Sequence, residues 1–259
     1  MQPDLKLVSL LSTGRHPKSG RACRANQDSR ALELAMKTSS QVTAVHAGNP
    51  DNNVLRQYAG MGLKKIAVLD LPETADPTQS LKHYLDEQSP DIVLTGVRAE
   101  DGESSGMLPY LLSEKLGWAM VPRIAEIQSI ENGKAKVLQA LPRGQRRLIE
   151  VDLPFIASVD NSAAEPRQSA FGPASRATIE TISTEIFTDE ALAGWQLSAA
   201  RKRPKRLKIA KAKTAADRFK AATAKSQSKG GTLIKDKPAS EQAKAIFDLL
   251  VTESVIKQP

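Results

Sequence analysis

At 259 residues, 40% of them hydrophobic, the chain can bury a sizeable core, as one α/β domain with an appendage or two small domains; wholesale disorder is excluded. No apolar run is long enough to cross a bilayer, and Met1-Gln2-Pro3-Asp4-Leu5-Lys6 lacks the cationic and then apolar order of a secretory leader. The single cysteine, Cys23, excludes an internal disulfide framework, so a reducing compartment is expected: the cytoplasm of a bacterium, or the mitochondrial matrix of a eukaryote. The formal net charge of +8 is unevenly placed. Residues 1–200 carry 21 Lys and Arg against 24 Asp and Glu, residues 201–237 carry 14 against 2, and residues 238–259 carry 2 against 3. The expected organisation is a mildly acidic body (1–200), a basic tether (201–237) and a terminal docking helix (238–259).

In chain order, Leu5–Leu11 is apolar enough for a buried strand, followed by a Gly-, Pro- and Arg-containing loop, Ser12–Gln27. Asp28 is expected to cap a helix over Ser29–Lys37. Gln41–Ala47 is a second strand, closed by Gly48-Asn49-Pro50, and a helix through Val54, Leu55 and Tyr58 leads to a third strand, Lys65–Leu69. A helix over Pro77–Gln88 precedes a fourth strand, Asp91–Thr95. Strands separated by single helices predict a parallel, doubly wound α/β sheet with right-handed crossovers. After a helix ending near Leu116, the stretches Ala125–Ile130, Lys134–Leu141 and Arg147–Val151 read as an antiparallel extension, with Glu131-Asn132-Gly133 as a hairpin turn. Pro154–Val159 is apolar and is expected to rejoin the main sheet. Asp160–Arg176 reads as a long loop, and Thr188-Asp189-Glu190 caps a short helix ending near Trp195. From Ser240 to Ile256, Ala243, Ile246, Phe247, Leu250 and Val251 recur at helical spacing, so this amphipathic helix should dock on a partner.

The chemistry-bearing stretch is Gly96–Trp118, where a strand end, a polar Gly-containing loop and a helix N-terminus follow one another. Such a turn exposes backbone amides at the positive end of a helix dipole, at the carboxyl edge of a sheet, which suits a phosphate. Many such turns bind nothing, so the pattern alone is a weak signal. The three histidines, His16, His46 and His83, have no ligand spacing, and no metal site is expected. Glu100, Asp101 and Glu103 have no identifiable base or nucleophile beside them, so no catalytic residue is expected.

Several blocks, in order along residues 5–256, resemble electron-transferring flavoprotein beta subunits. In the nucleotide loop, Asp101 matches the loop acid, Ser105-Gly106 the family's Thr-Gly step, and Leu116-Gly117-Trp118 the helix end. Gly133–Val137 through Leu153-Pro154 to Asp160 matches the family's hairpin and the strand after it. Ala164-Glu165-Pro166-Arg167 resembles the Asn-Glu-Pro-Arg that opens the family's partner-gripping loop, and Gly230-Gly231-Thr232-Leu233-Ile234 resembles the start of its C-terminal arm. The chain departs from the family at Ser12–His16, where a Lys-Arg turn is usual, at Ala25-Asn26-Gln27-Asp28, and at Leu141, where an acid is common. Asp101–Pro109 also resembles the Asp-Gly-Asp-Thr loop of the electron-bifurcating branch.

The resemblance implies an adenine-nucleotide-hydrolase-like fold and a non-enzymatic electron carrier, paired as a heterodimer with a larger alpha subunit. FAD is shared with that subunit, and AMP is held here without a redox role; a second FAD in its place is the alternative. Positions matching the nucleotide pocket are Ser9, Leu10, Ala47, Gly48, Gly96, Arg98, Asp101, Gly102, Glu103, Ser104, Ser105 and Gly106. The amides of Ser104, Ser105 and Gly106 would meet the phosphate, Arg98 would add positive charge, and Asp101 and Glu103 would face ribose or cap the helix. Glu165, Pro166 and Arg167, with Phe171 as the apolar plug, match the partner loop (160–177). The implied donor is a flavin dehydrogenase and the acceptor a membrane quinone reductase. Two rival classes stand beside this reading. Residues 201–237 could bind nucleic acid electrostatically, although one aromatic, Phe219, and no recognition motif argue for a solvated tether or a contact with an acidic protein partner. A nucleotide hydrolase would need a Gly-rich ATP loop and a metal-binding acid, which the sequence lacks.

Overall fold

The computed structural model of the chain describes residues 2–102, 104–196, 198–199, 214–217, 219, 234–235, 237–253 and 255–256. The chain divides into two compact units, residues 1–197 and 198–259. The first contains, in order, β1 (Gln2–Leu11), β2 (Thr13–Arg15), β3 (Ala22–Arg24), α1 (Asn26–Thr38), β4 (Ser39–Gly48), α2 (Val54–Ala59), β5 (Lys65–Asp70), α3 (Pro77–Gln88) and β6 (Ile92–Gly96). It continues with α4 (Leu108–Leu116), β7 (Ala119–Glu131), β8 (Lys134–Ala140), β9 (Arg146–Asp152), β10 (Phe155–Val159), α5 (Phe171–Arg176), β11 (Thr178–Ile182) and α6 (Glu190–Ala193).

Nine strands form one sheet in the order β11-β5-β4-β1-β6-β10-β7-β8-β9, while β2 and β3 pair separately as a small antiparallel ribbon. Neighbours are parallel from β11 through β7, and β8 and β9 add the antiparallel extension. The predicted doubly wound α/β architecture is thus present. Alternation along β1 explains why both faces are covered. Leu7 packs with Ala31 and Ala35 of α1, and Leu11 with Leu32 of α1 and Leu55 and Tyr58 of α2. Val8 and Leu10 face the other way, against Leu81 and Leu85 of α3 and Leu112 of α4. The strand order reverses between β1 and β6, where a crevice at the carboxyl edge is favoured.

Three sequence expectations change. The antiparallel extension begins earlier than Ala125: β7 starts at Ala119, pairs in parallel with β10, and crosses into the antiparallel ladder after a register shift. Arg123 at the crossing has φ 59°, and its amide donates to Ser158 Oγ at 2.9 Å. The expected loop Asp160–Arg176 ends in α5, and β11, which the sequence reading did not contain, follows it as the sheet's edge on β5. Asp28 is not a cap. Helix α1 starts two residues before it, after Ala25, and the Asp28 carboxylate is turned inward. The turn at Asn132 (φ 51°) and Gly133 (φ 74°) is the left-handed pair expected of a two-residue hairpin.

In the second unit, α7 (Ala239–Thr252) has no buried residue, and Ile246, Phe247 and Leu249 are exposed. The basic segment 201–237 and the Gly230–Ile234 motif lie largely outside the described residues. No helix among the described residues is long and apolar enough to cross a membrane.

Candidate functional site

Ser9 and Leu10 lie in β1 near its carboxyl end, Ala47 and Gly48 close β4, and Gly96 closes β6; β1 lies between β4 and β6. Ser9 is fully buried, and its hydroxyl has no hydrogen-bond partner among the described residues. Leu10 belongs to the α3/α4 core. Gly48 (φ 148°) accepts from Leu71 N, and a side chain there would meet the His46 ring. His46 is itself buried, with Nδ1 2.9 Å from the Leu11 carbonyl; burial lowers its pKa. His16 is exposed in the β2–β3 turn and His83 stacks edge-on against Phe187, so the histidines do not converge.

Between β1 and β6 sits a polar knot that the sequence did not reveal. Asp28 Oδ1 accepts from Gly96 N at 2.8 Å, and Oδ2 accepts from Ser12 N at 2.6 Å and Ser12 Oγ at 2.5 Å. Gln27 Oε1 accepts from Val97 N at 3.0 Å and Arg98 N at 3.3 Å. The Tyr58 hydroxyl receives Ala25 N and donates to the Ser12 carbonyl, both at 2.8 Å. The first turn of α1 therefore satisfies the amides that follow the strand ends. Burial pushes the Asp28 carboxyl up to about 6, against the lowering pull of its bonds from Ser12 and Gly96. Gly96 has to be glycine because a Cβ would stand on Asp28 Oδ1.

The loop leading to α4 has a different character. Gly102 (φ 76°), Ser104 (φ 55°) and Gly106 (φ 77°) are left-handed at every second position; Glu103 lies outside the described residues. Left-handed residues spaced in this way occur in anion nests, where successive amides turn toward one concavity. Ser105 N and Gly106 N donate to no acceptor among the described residues, whereas Met107 N donates to Ser105 Oγ at 3.2 Å. Helix α4 starts at Leu108. The Arg98 Cβ lies 3.3 Å from where a Gly106 Cβ would stand, and its exposed guanidinium has no ion pair among the described residues. Asp101 faces neither this nest nor the helix end. It pairs with Arg15 Nε of the β2–β3 ribbon at 2.8 Å, and that hydrogen bond holds its carboxyl below the usual range. Glu100 Oε1 accepts from Asn26 N at 2.7 Å, the start of α1.

The second cluster is the 160–177 loop, which is fixed to α1. Arg167 forks onto Glu33, Nε at 2.7 Å and Nη2 at 3.1 Å, and Arg30 reaches the Ala163 carbonyl and Glu165. Burial raises the Glu33 carboxyl, but the Arg167 bonds and Lys37 outweigh it and leave the pKa lowered. Glu165 and Arg167 therefore support the loop as well as lining it, and Pro166 between them is half-buried. Phe171, at the first position of α5, is 88% exposed, so it is not packed under its own loop.

The model of the electron transfer flavoprotein domain matches residues 25–186. The electron transfer flavoprotein subunit beta of Chromohalobacter salexigens is 48% identical over 261 residues, covering 99% of this chain and 98% of that protein. The protein of the same name from Bacillus subtilis is 30% identical over 145 residues, 53% of this chain and 55% of that one. The chain belongs to the electron transfer flavoprotein beta-subunit family.

Proposed function

We propose that this chain is the smaller half of a heterodimeric electron carrier, holding a structural AMP and helping to enclose an FAD bound mostly by an alpha subunit. The observation that carries the nucleotide assignment is the left-handed backbone at Gly102, Ser104 and Gly106, with the Ser105 and Gly106 amides donating to no acceptor among the described residues. Residues and group fit. A phosphate suits the 104–106 amides, with Arg98 beside Gly106 supplying charge, while Gln27 and Asp28 already occupy the amides of Gly96, Val97 and Arg98. The buried, unpartnered Ser9 hydroxyl offers a hydrogen bond to the nucleoside end. Asp101, tied to Arg15, shapes the loop and keeps its charge off the phosphate.

FAD, when bound, supplies the redox centre. This chain's residues bind, orient and exclude water, and none is assigned a bond-making role. The apolar residues of α7 cover the alpha subunit, and Phe171 plugs a pocket on a flavin dehydrogenase, the electron donor. Electrons pass onward to a membrane quinone reductase. Co-expression with the alpha subunit tests the reading. A yellow 1:1 complex is expected, with this chain colourless when purified alone and no shift of a DNA duplex in a gel. Stoichiometric FAD on the isolated chain, or DNA binding without flavin, would refute it.

A further inference from the structure

An 88% exposed ring has almost no packing of its own, so the place where Phe171 stands is decided by the backbone of α5. That backbone is held by α2, more than 100 residues earlier. At the N-terminal end, Ala170 N donates to the Gly60 carbonyl at 2.9 Å. Gly60 has an ordinary helical backbone, φ −60°, so it is not glycine for its conformation. A Cβ there would overlap Ser169 Oγ and stand 2.9 Å from the Ala170 carbonyl and 3.1 Å from Ala170 N, forcing the loop outward. At the C-terminal end, one nitrogen of Arg56, Nη1, donates to the Ala174 carbonyl at 3.2 Å and the Ala177 carbonyl at 2.5 Å. It satisfies acceptors that a helix terminus leaves open and opposes the negative end of the dipole. Four residues before Phe171, Arg167 is clamped to Glu33, and its carbonyl accepts from Arg24 Nη2 at 3.0 Å. The single exposed aromatic of the loop thus projects from a short helix tied at both ends.

We infer that Arg56 and Gly60 are positioning residues for partner recognition: through α5 they fix the direction in which Phe171 is presented. The inference rests on the reading of Phe171 as the partner plug. Pre-set geometry spares the ordering cost of docking, so its loss weakens association with the dehydrogenase without changing the chemistry after docking.

The test uses the intact heterodimer and the dehydrogenase purified from the source cells by its ability to reduce the heterodimer's flavin. Arg56→Met removes the two carbonyl contacts from an exposed position. It is expected to raise the KM for that dehydrogenase at least about fivefold, a loss near 1 kcal/mol, with kcat, nucleotide content and melting temperature unchanged. Amides 170–177 should exchange hydrogen faster, and Arg56→Lys should recover most of the affinity. Gly60→Val should act in the same direction; if it does not fold, Arg56→Met alone decides. In a Phe171→Ala background, Arg56→Met should add nothing. An additive effect there, or an unchanged KM while Phe171→Ala itself is impaired, overturns the positioning role alone. An inert Phe171→Ala overturns the partner reading and this inference with it.

Discussion

Replacing Asp28 by asparagine separates two effects that the carboxylate combines. Asp28 is buried and its pKa stands at about 6, so ionising it in the folded protein is unfavourable. Relative to an ordinary aspartate near 3.9, that corresponds to roughly 3 kcal/mol. The folded pKa is raised, so the stabilisation is fully present below about pH 4 and is lost as pH rises through 6. Asparagine carries no such dependence. Its oxygen can still accept from Gly96 N, but its NH2 then faces Ser12 N, which loses its acceptor at a cost of about 1–3 kcal/mol. The variant should stand below the parent by that amount only below about pH 4, and by less at pH 5. At pH 8, with the parent carrying its ionised carboxylate, the variant should match or exceed it. An ordinary aspartate is already ionised at pH 5, so about half of that 3 kcal/mol remains to be lost between pH 5 and 8. Differential scanning calorimetry of both heterodimers over this range should show, at about 2–4 °C per kcal/mol, a swing of roughly 3–6 °C in favour of asparagine. Using the difference between the two proteins cancels the other buried acids, Glu33 and Asp160, whose pKa values are lowered and whose stability contributions run the opposite way. A difference that stays constant over this range would mean that Asp28 ionises as it would in water, and the polar knot would have to be redrawn.

Gly106→Asp puts a carboxylate on the anion nest and a side chain 2.8 Å from the Val97 carbonyl, so AMP retention through gel filtration should fall at least about tenfold. Gly96→Ala should cost about 1–3 kcal/mol of overpacking by displacing Asp28, measured by urea unfolding with unchanged m-value. Deleting residues 230–259 should abolish pairing with the alpha subunit while the far-ultraviolet circular dichroism of the 1–197 unit persists, because the apolar residues of α7 find no cover within that helix. Phe171→Ala should slow reduction by the dehydrogenase at least about tenfold, near 1.4 kcal/mol, with flavin content and melting temperature unchanged.

What the sequence made legible follows from period and burial. β1, β4, β5, β6 and β10 follow from apolar runs, four of them bounded by helices or turn residues, and each is now a strand of the parallel sheet, with β5, β6 and β10 buried. α3 begins at Pro77, as expected, with the Asp76 side chain accepting from Thr78 N. β11 escaped because Thr178-Ile179-Glu180-Thr181-Ile182 is a half-exposed edge strand, as polar as a loop. The first half of β7 escaped because Pro122 and Arg123 look like a break, and they are one, a bulge that carries the strand from one ladder to the next. Asp28 misled for a chemical reason. A short acid before an apolar helix is the pattern of a cap, and its true partners, Ser12 and Gly96, lie 16 and 68 residues away. The positions of Ser105 and Gly106 were readable from the family pattern; the redirection of Asp101 onto Arg15 was not, because the ribbon carrying Arg15 has no periodicity to announce it.

The central claim, a nucleotide-holding half of a flavin carrier, is tested most directly by denaturing the purified heterodimer and identifying the released nucleotides by chromatography and mass spectrometry. The account predicts one FAD and one AMP per heterodimer, with AMP alone depleted by Gly106→Asp. Two FAD and no AMP would replace the structural nucleotide by a second flavin, and FAD without any second nucleotide would contradict the assignment of the 102–106 nest.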